Sequence, residues 1–183
     1  MFINNFGIEI EFGSSLPMEE LAKVLDVEIK LNSIYYTTGH AWMLDHDQSA
    51  GDDLLDGVEI LTPIFNVFPI DELSKICEEL RRHVTITTTS GMHIHFSGPS
   101  FVGLEFLPFD KKRELSTRMV QLANPHIDRL RFCLPSSGAG NKQTAFRQIV
   151  DSHWECRVFN STLDVDMIQK NFDTLNRVIG EYV

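Results

Sequence analysis

The sequence predicts an α+β fold, an antiparallel sheet cradle with helices packed on its apolar face. Two observations predict it. Several short segments alternate apolar and polar residues with period two, the pattern of half-buried strands. Stretches with apolar residues at helical spacing separate them irregularly, an order too mixed for strictly alternating βα units. Four of the strand-like segments also set an ionisable residue opposite an apolar one, so one sheet face would be greasy and the other chemically active.

The first strand is expected over residues 6–12, with Phe6, Ile8, Ile10 and Phe12 on one face and Gly7, Glu9 and Glu11 on the other. Met18 to Leu25 reads as a short helix. Residues 27–38, rich in β-formers such as Ile34, Tyr35 and Tyr36, predict a hairpin. Ala41 to Leu44 reads as a strand, Gln48 to Leu55 as a polar loop, and residues 57–62 as a strand carrying Glu59. A helix opens at Pro69-Ile70-Asp71 and runs through His83, with Ile70, Leu73, Ile76, Cys77 and Leu80 on its inner face. The β-branched run Val84 to Thr88 leads into a strand over residues 90–98 that sets His93 and His95 opposite Met92, Ile94 and Phe96. Pro99 to Pro108 reads as a connection, residues 110–122 as a helix, and Pro125 to Cys133 as another. Ser136 to Asn141 is the most loop-like stretch. The last strand puts Glu155 and Arg157 opposite Trp154, Cys156 and Val158. Asp164 caps a closing helix whose inner face is Ile168, Phe172, Leu175 and Ile179.

At 183 residues and 43% hydrophobic content, the chain is expected to be a single domain, residues 1–183, with a substantial core. A net charge of −10 argues against a general nucleic-acid or membrane-surface binder. No apolar run is long enough to span a bilayer, and no signal-peptide pattern occurs. Cys77, Cys133 and Cys156 lack CxxC spacing, which suits reduced thiols in the cytoplasm; Cys77 and Cys156 fall on apolar faces and read as packing residues.

Glu9 and Glu11 are the most telling residues. Two carboxylates on one strand face lie about 6.5–7 Å apart at Cα and repel unless water or a cation intervenes. Taken singly, each polar group has a plainer reading: Glu9 and Glu11 as a solvent-facing edge, His93 and His95 as solvated, Glu155 and Arg157 as an ion pair, Asp45 and Asp47 as turn residues. All these separate explanations must hold at once for that view to stand. There is no P-loop and no GxGxxG. Carboxylates with one or two imidazoles suit Mg²⁺ or Mn²⁺, whereas zinc more often takes more histidines or thiolates. Such a cluster beside an arginine can hold nucleotide phosphates through metal ions.

At these residues the chain resembles the amidoligases, relatives of glutamine synthetase and glutamate–cysteine ligase. The resemblance rests on Gly7-Ile8-Glu9-Ile10-Glu11-Phe12, on Trp42 with Asp47 and Ser49, and on Gly57-Val58-Glu59-Ile60-Leu61-Thr62-Pro63. It continues in Ser90-Gly91-Met92-His93-Ile94-His95 and in Glu155-Cys156-Arg157 followed by Ser161-Thr162-Leu163-Asp164. It implies a glutamine synthetase-like catalytic fold and an ATP-dependent carboxylate–amine ligase. Carried over by position, Glu9, Glu11, Glu59, His93 and Glu155 would be metal ligands for Mg²⁺ (or Mn²⁺). His95 would touch phosphate or lie beside the ligands, Arg157 would bind phosphate or the reacting carboxylate, and Ser49 would lie at the nucleotide. A family arginine corresponds to Arg129, Arg131 or Arg147, with Arg147 preferred. Ser90 stands where the family usually has cysteine. The implied partners are a small-molecule or peptide carboxylate and an amine donor. Two other readings stay open: a hydrolase using His93 and His95 around Zn²⁺, and a degenerate ligase fold that only binds.

Overall fold

The structure, a computed structural model, describes residues 2–29, 41–51, 55–126, 134–137, 144–150 and 152–183, with backbone alone at 134–137 and 150. The described strands form one nine-stranded sheet. They are β1 (Asn5–Ser14), β2 (Glu28–Ile29), β3 (Met43–His46), β4 (Asp56–Leu61), β5 (Val84–Thr85), β6 (Gly91–Ser97), β7 (Leu134–Ser137), β8 (Thr144–Val150) and β9 (His153–Asn160). The sheet order is β2-β3-β4-β1-β6-β9-β8-β7, with β5 added beside the end of β1. The helices are α1 (Met18–Leu25), α2 (Ile70–Leu80), α3 (Val102–Phe106), α4 (Phe109–Ala123) and α5 (Val165–Ile179). The sheet is antiparallel through its middle, but the pairs at its two ends, β2 with β3 and β7 with β8, are parallel.

Period-two alternation sorts the central strands as the sequence requires. Phe6, Ile8, Ile10 and Phe12 of β1, Val58 and Ile60 of β4, and Met92, Ile94 and Phe96 of β6 are buried in one cluster. So are Trp154 and Cys156 of β9 and the inner faces of α1, α2, α4 and α5. Phe172 of α5 lies 4.2 Å from Phe6 between ring centroids. Each such buried Phe, Ile or Leu contributes about 1.5–3 kcal/mol by leaving water. Asp164 caps α5, accepting from the backbone N–H groups of Asp166 and Met167.

Several expectations are corrected. α2 ends at Leu80 rather than His83, because Arg82 and His83 close tighter turns onto Glu79 and Leu80. Val84 and Thr85 do not run into β6. They pair with Ser14 and Gly13, and a turn knotted by Thr87 and Ser90 hydroxyls separates them from Gly91. The stretch Pro99 to Pro108 holds a 3₁₀ turn and α3. Ser136 and Ser137 belong to β7. Of the expected 27–38 hairpin only β2 is described; the helix to Cys133 and the loop beyond Ser137 lie largely outside the described residues.

Candidate active site

The face of the sheet opposite the core collects the ionisable residues, and strand register explains how. Glu9 pairs with His93, Glu11 with Glu59, and Glu59 in turn with Asp45. His95 pairs with Gly7 on one side and Glu155 on the other, and Glu155 pairs with Arg147 of β8. Directly opposed residues share a face, so these rows cross the sheet from β3 to β8. Between Met92 and Ile94 the pairing with β9 slips, and Arg157 and Val158 together oppose His93. This bulge keeps Arg157 on the polar side while Phe159 joins the core beside Met92.

His93 is the hub. Its Nδ1 lies 2.8 Å from Glu9 Oε2 and 3.2 Å from Glu155 Oε1, and its Nε2 lies 3.0 Å from Glu11 Oε1. With His93 protonated, the Nε2 contact is an ion pair with Glu11. His95 Nε2 lies 3.1 Å from Glu9 Oε1. Arg157 Nη1 donates to Glu155 Oε1, and Arg147 Nη1 lies 3.4 Å from Glu155 Oε2. The backbone N–H of Gly91 donates to Glu11 Oε2. Glu9, Glu11, His93, His95 and Glu155 are all buried, and Glu59 is half-buried.

Two sets of ligand atoms stand out among the described residues. Glu9, His93 and Glu155 each bring one within 4.8 Å of the others, and Glu11, Asp47 and Glu59 do the same. Asp47 reaches this face from the turn between β3 and β4, where its N–H donates to the Gly57 carbonyl at 3.0 Å. A Cβ on Gly57 would sit 1.9 Å from the Asp47 carbonyl oxygen, so only glycine permits this approach. Ser49, expected at the nucleotide, is exposed; its N–H and hydroxyl donate to Asp47 Oδ1 at 2.9 and 2.7 Å and orient that carboxylate.

The electrostatics reflect crowded charge. Burial opposes ionisation of Glu9, yet the nearby His95 and hydrogen bonds from His93 and His95 hold its carboxyl well below the usual range. Burial, together with Glu9, Asp47 and Glu11, pushes Glu59 well above it, with His93 opposing. Burial works against a charged His93, and Arg157 adds to that, but Glu11 and Glu9 prevail and its pKa rises to about 10. Burial first, and Glu155 and Glu9 against it, leave Arg157 raised above its ordinary value. The site therefore holds more acid than its guanidinium and imidazole groups balance.

Register and rotamer thus bring together Glu9, Glu11, Glu59, His93, His95, Glu155, Arg147 and Arg157. Arg129 and Arg131 lie outside the described residues. Two residues escaped the sequence reading of the site. Asp47 stands in that reading as a turn residue and as part of the motif with Trp42 and Ser49, outside the ligand set. His153, whose Nε2 lies 3.1 Å from His95 Nδ1, has no role in that reading, although it continues the period-two series of Glu155 and Arg157.

No curated protein matches the chain. A family model described as "Putative amidoligase enzyme" matches residues 3–104, which carry Glu9, Glu11, Asp47, Glu59, His93 and His95. Arg147, Glu155 and Arg157 lie beyond the matched segment and join the site through the sheet. With more than half its length matched, the chain belongs to the amidoligase family, and its enzyme class is that of a ligase.

Proposed function

We propose that the protein is an ATP-dependent carboxylate–amine ligase on a glutamine synthetase-like cradle, forming an amide through an acyl phosphate. The observation that supports this is the convergence of Glu9, Glu11, Asp47, Glu59 and Glu155 with His93, His95, Arg147 and Arg157 on one sheet face. The donor set fits a hard divalent cation, being mostly carboxylate oxygen with one imidazole. The strained ionisation of Glu59 points the same way, since a cation beside it would favour the charged carboxylate.

In this reading Glu9, His93 and Glu155 would hold one Mg²⁺ (or Mn²⁺), and Glu11, Asp47 and Glu59 would hold a second. When bound, such ions supply neutralisation of phosphate charge. Arg157 and Arg147 offer guanidinium donors to phosphoryl oxygens or to the reacting carboxylate, and His95 offers its Nε2 side beside Glu9. A substrate carboxylate oxygen attacks the γ-phosphorus of ATP, a C–O–P linkage forms, and the bond to ADP breaks. An amine then attacks the acyl carbon, phosphate departs, the amine loses a proton, and an amide remains. The carboxylate is an amino-acid, peptide or protein-side-chain group, and the amine is ammonia or an organic amine. Neither nucleic acid nor membrane enters this chemistry, and buried thiols at Cys77 and Cys156 suit a reducing cytoplasm.

The test is ADP release and amide formation from Mg²⁺-ATP with a panel of amino-acid and peptide carboxylates and ammonium. Glu9→Gln and Glu155→Gln should keep the fold and lose about 10²–10³ in rate. A variant that retains most of its ATP-dependent amide formation would sink the assignment, and turnover without ATP would favour a hydrolase.

A further inference from the structure

The turn that brings Asp47 to the polar face is held from two sides. On one side the Asp47 N–H donates to the Gly57 carbonyl, and the Ala50 N–H closes the turn by donating to the Asp47 carbonyl at 3.0 Å. On the other side the Ala50 carbonyl meets hydroxyls from a distant part of the chain. Thr87 Oγ1 lies 3.2 Å from it and Ser90 Oγ 3.4 Å, from positions 37 and 40 residues further along. Ala50 is fully buried, so its carbonyl depends on partners within the protein. The two hydroxyls sit between β5 and β6 and form a compact knot. They are 2.8 Å apart, and Thr89 Oγ1 stands 3.0 Å from Thr87 Oγ1. The Thr87 N–H donates to Ser90 Oγ at 3.2 Å, and the Ser90 N–H donates to Thr87 Oγ1 at 3.1 Å.

Each hydroxyl has one proton to give. Whichever donates across the 2.8 Å contact, the accepting hydroxyl keeps its own proton for the Ala50 carbonyl. The knot is itself anchored to the site. The next residue, Gly91, donates its N–H to Glu11 Oε2, and the Ser161 N–H donates to the Ser90 carbonyl at 3.1 Å. It therefore links the fixed start of β6 to the turn between β3 and β4. We propose that Thr87 and Ser90 are positioning residues: their hydroxyls, through the Ala50 carbonyl, hold that turn where the Asp47 carboxylate reaches Glu11 and Glu59. Groups that orient a ligand from behind commonly govern metal affinity as the ligands do. The effect on a bound cation rests on the ligase reading; the hold on the turn does not.

The experiment compares the full-length wild type, a double variant with Thr87→Val and Ser90→Ala, and Thr87→Ser, which keeps a hydroxyl. In the metal-free protein, amide hydrogen exchange at Asp47 and Ala50 should quicken about tenfold or more in the double variant, while amides in the middle of β1 and β6 keep their protection. T87S should exchange like the wild type. Mn²⁺ titration is the second readout. In the double variant one Mn²⁺ affinity should fall about 10–100-fold and the other should hold. The affected site should be the one that Asp47→Asn weakens, and adding the double change to D47N should cost little more, because the two act on one ligand. Unchanged exchange at the turn, exchange that quickens equally throughout the sheet, or equal loss at both Mn²⁺ sites overturns the proposal. A wild type that binds no Mn²⁺ tells against the cation sites alone, and exchange at the turn then decides the positioning role by itself.

Discussion

His93 sits between three carboxylates, and that position governs its proton. Its folded pKa of about 10 stands above the ordinary value near 6.5, chiefly because Glu11 and Glu9 outweigh burial. A group whose folded pKa is raised adds stability that is complete below its unfolded pKa and disappears as pH climbs to the folded one. In the metal-free protein the His93 contribution should therefore be whole at pH 6 and mostly gone by about pH 10. Melting curves in chelator across this range check it. The wild type should lose more melting temperature than His93→Gln, so that the two curves converge at high pH, and parallel curves would refute the assignment. His93 was legible in the sequence because strict alternation aimed it away from Met92, Ile94 and Phe96. The motif names Asp47, but its place among the ligands was not legible, because it sits in a turn, where period two no longer says which way a side chain points. His153 was legible in principle, since it shares parity with Glu155 and Arg157, but a pairing partner across the sheet was needed to give it meaning.

The turn between β3 and β4 shows how an element's backbone can position a ligand. Asp47 and Gly57 meet through main-chain atoms, and the room for that contact exists only because Gly57 has no side chain. Gly57→Ala should push the turn off β4, cost about 1–3 kcal/mol by overpacking, and weaken Mn²⁺ binding as Asp47 withdraws. Gly7→Ala is the matched control, because a Cβ there meets nothing nearer than Thr62 Oγ1 at 3.7 Å. Denaturant midpoints and Mn²⁺ titration of both variants decide it, and a Gly57→Ala protein as stable as Gly7→Ala would show that the turn adapts. The same contrast explains which elements the sequence disclosed. α1 and α5 carried clean helical periodicity, and α1 has the bounds expected from it. β8 passed unrecognised because Ala145 and Phe146 are consecutive and both buried, which breaks alternation. α3 hid in a run rich in Gly, Pro and Phe that resembles a connection.

Across the whole molecule, an acidic chain concentrates uncompensated carboxylates inside a sheet whose other face is ordinary hydrophobic core. The α+β class and the polar face followed from local patterns, but the strand order did not. Nothing in a strand's own sequence says that β1 lies between β4 and β6, or that residues beyond the family match complete the site from β8 and β9. That arrangement makes stability and ligand binding one problem. Among the described residues no helix is long and apolar enough to cross a membrane. A ligand that binds only the native state adds about 2.7 kcal/mol at a hundredfold excess over Kd, and a chain of this size gains about 2–4 °C per kcal/mol. Mg²⁺ with ATP at that excess should therefore raise the melting temperature by about 5–10 °C. ATP with chelator should give much less, because the phosphates would meet an acidic face without a cation between them. Glu9→Gln with Glu155→Gln in one protein should abolish the Mg²⁺-ATP shift at matched ionic strength. If the shift is absent in the wild type, or survives in that double variant, nucleotide does not bind through this face.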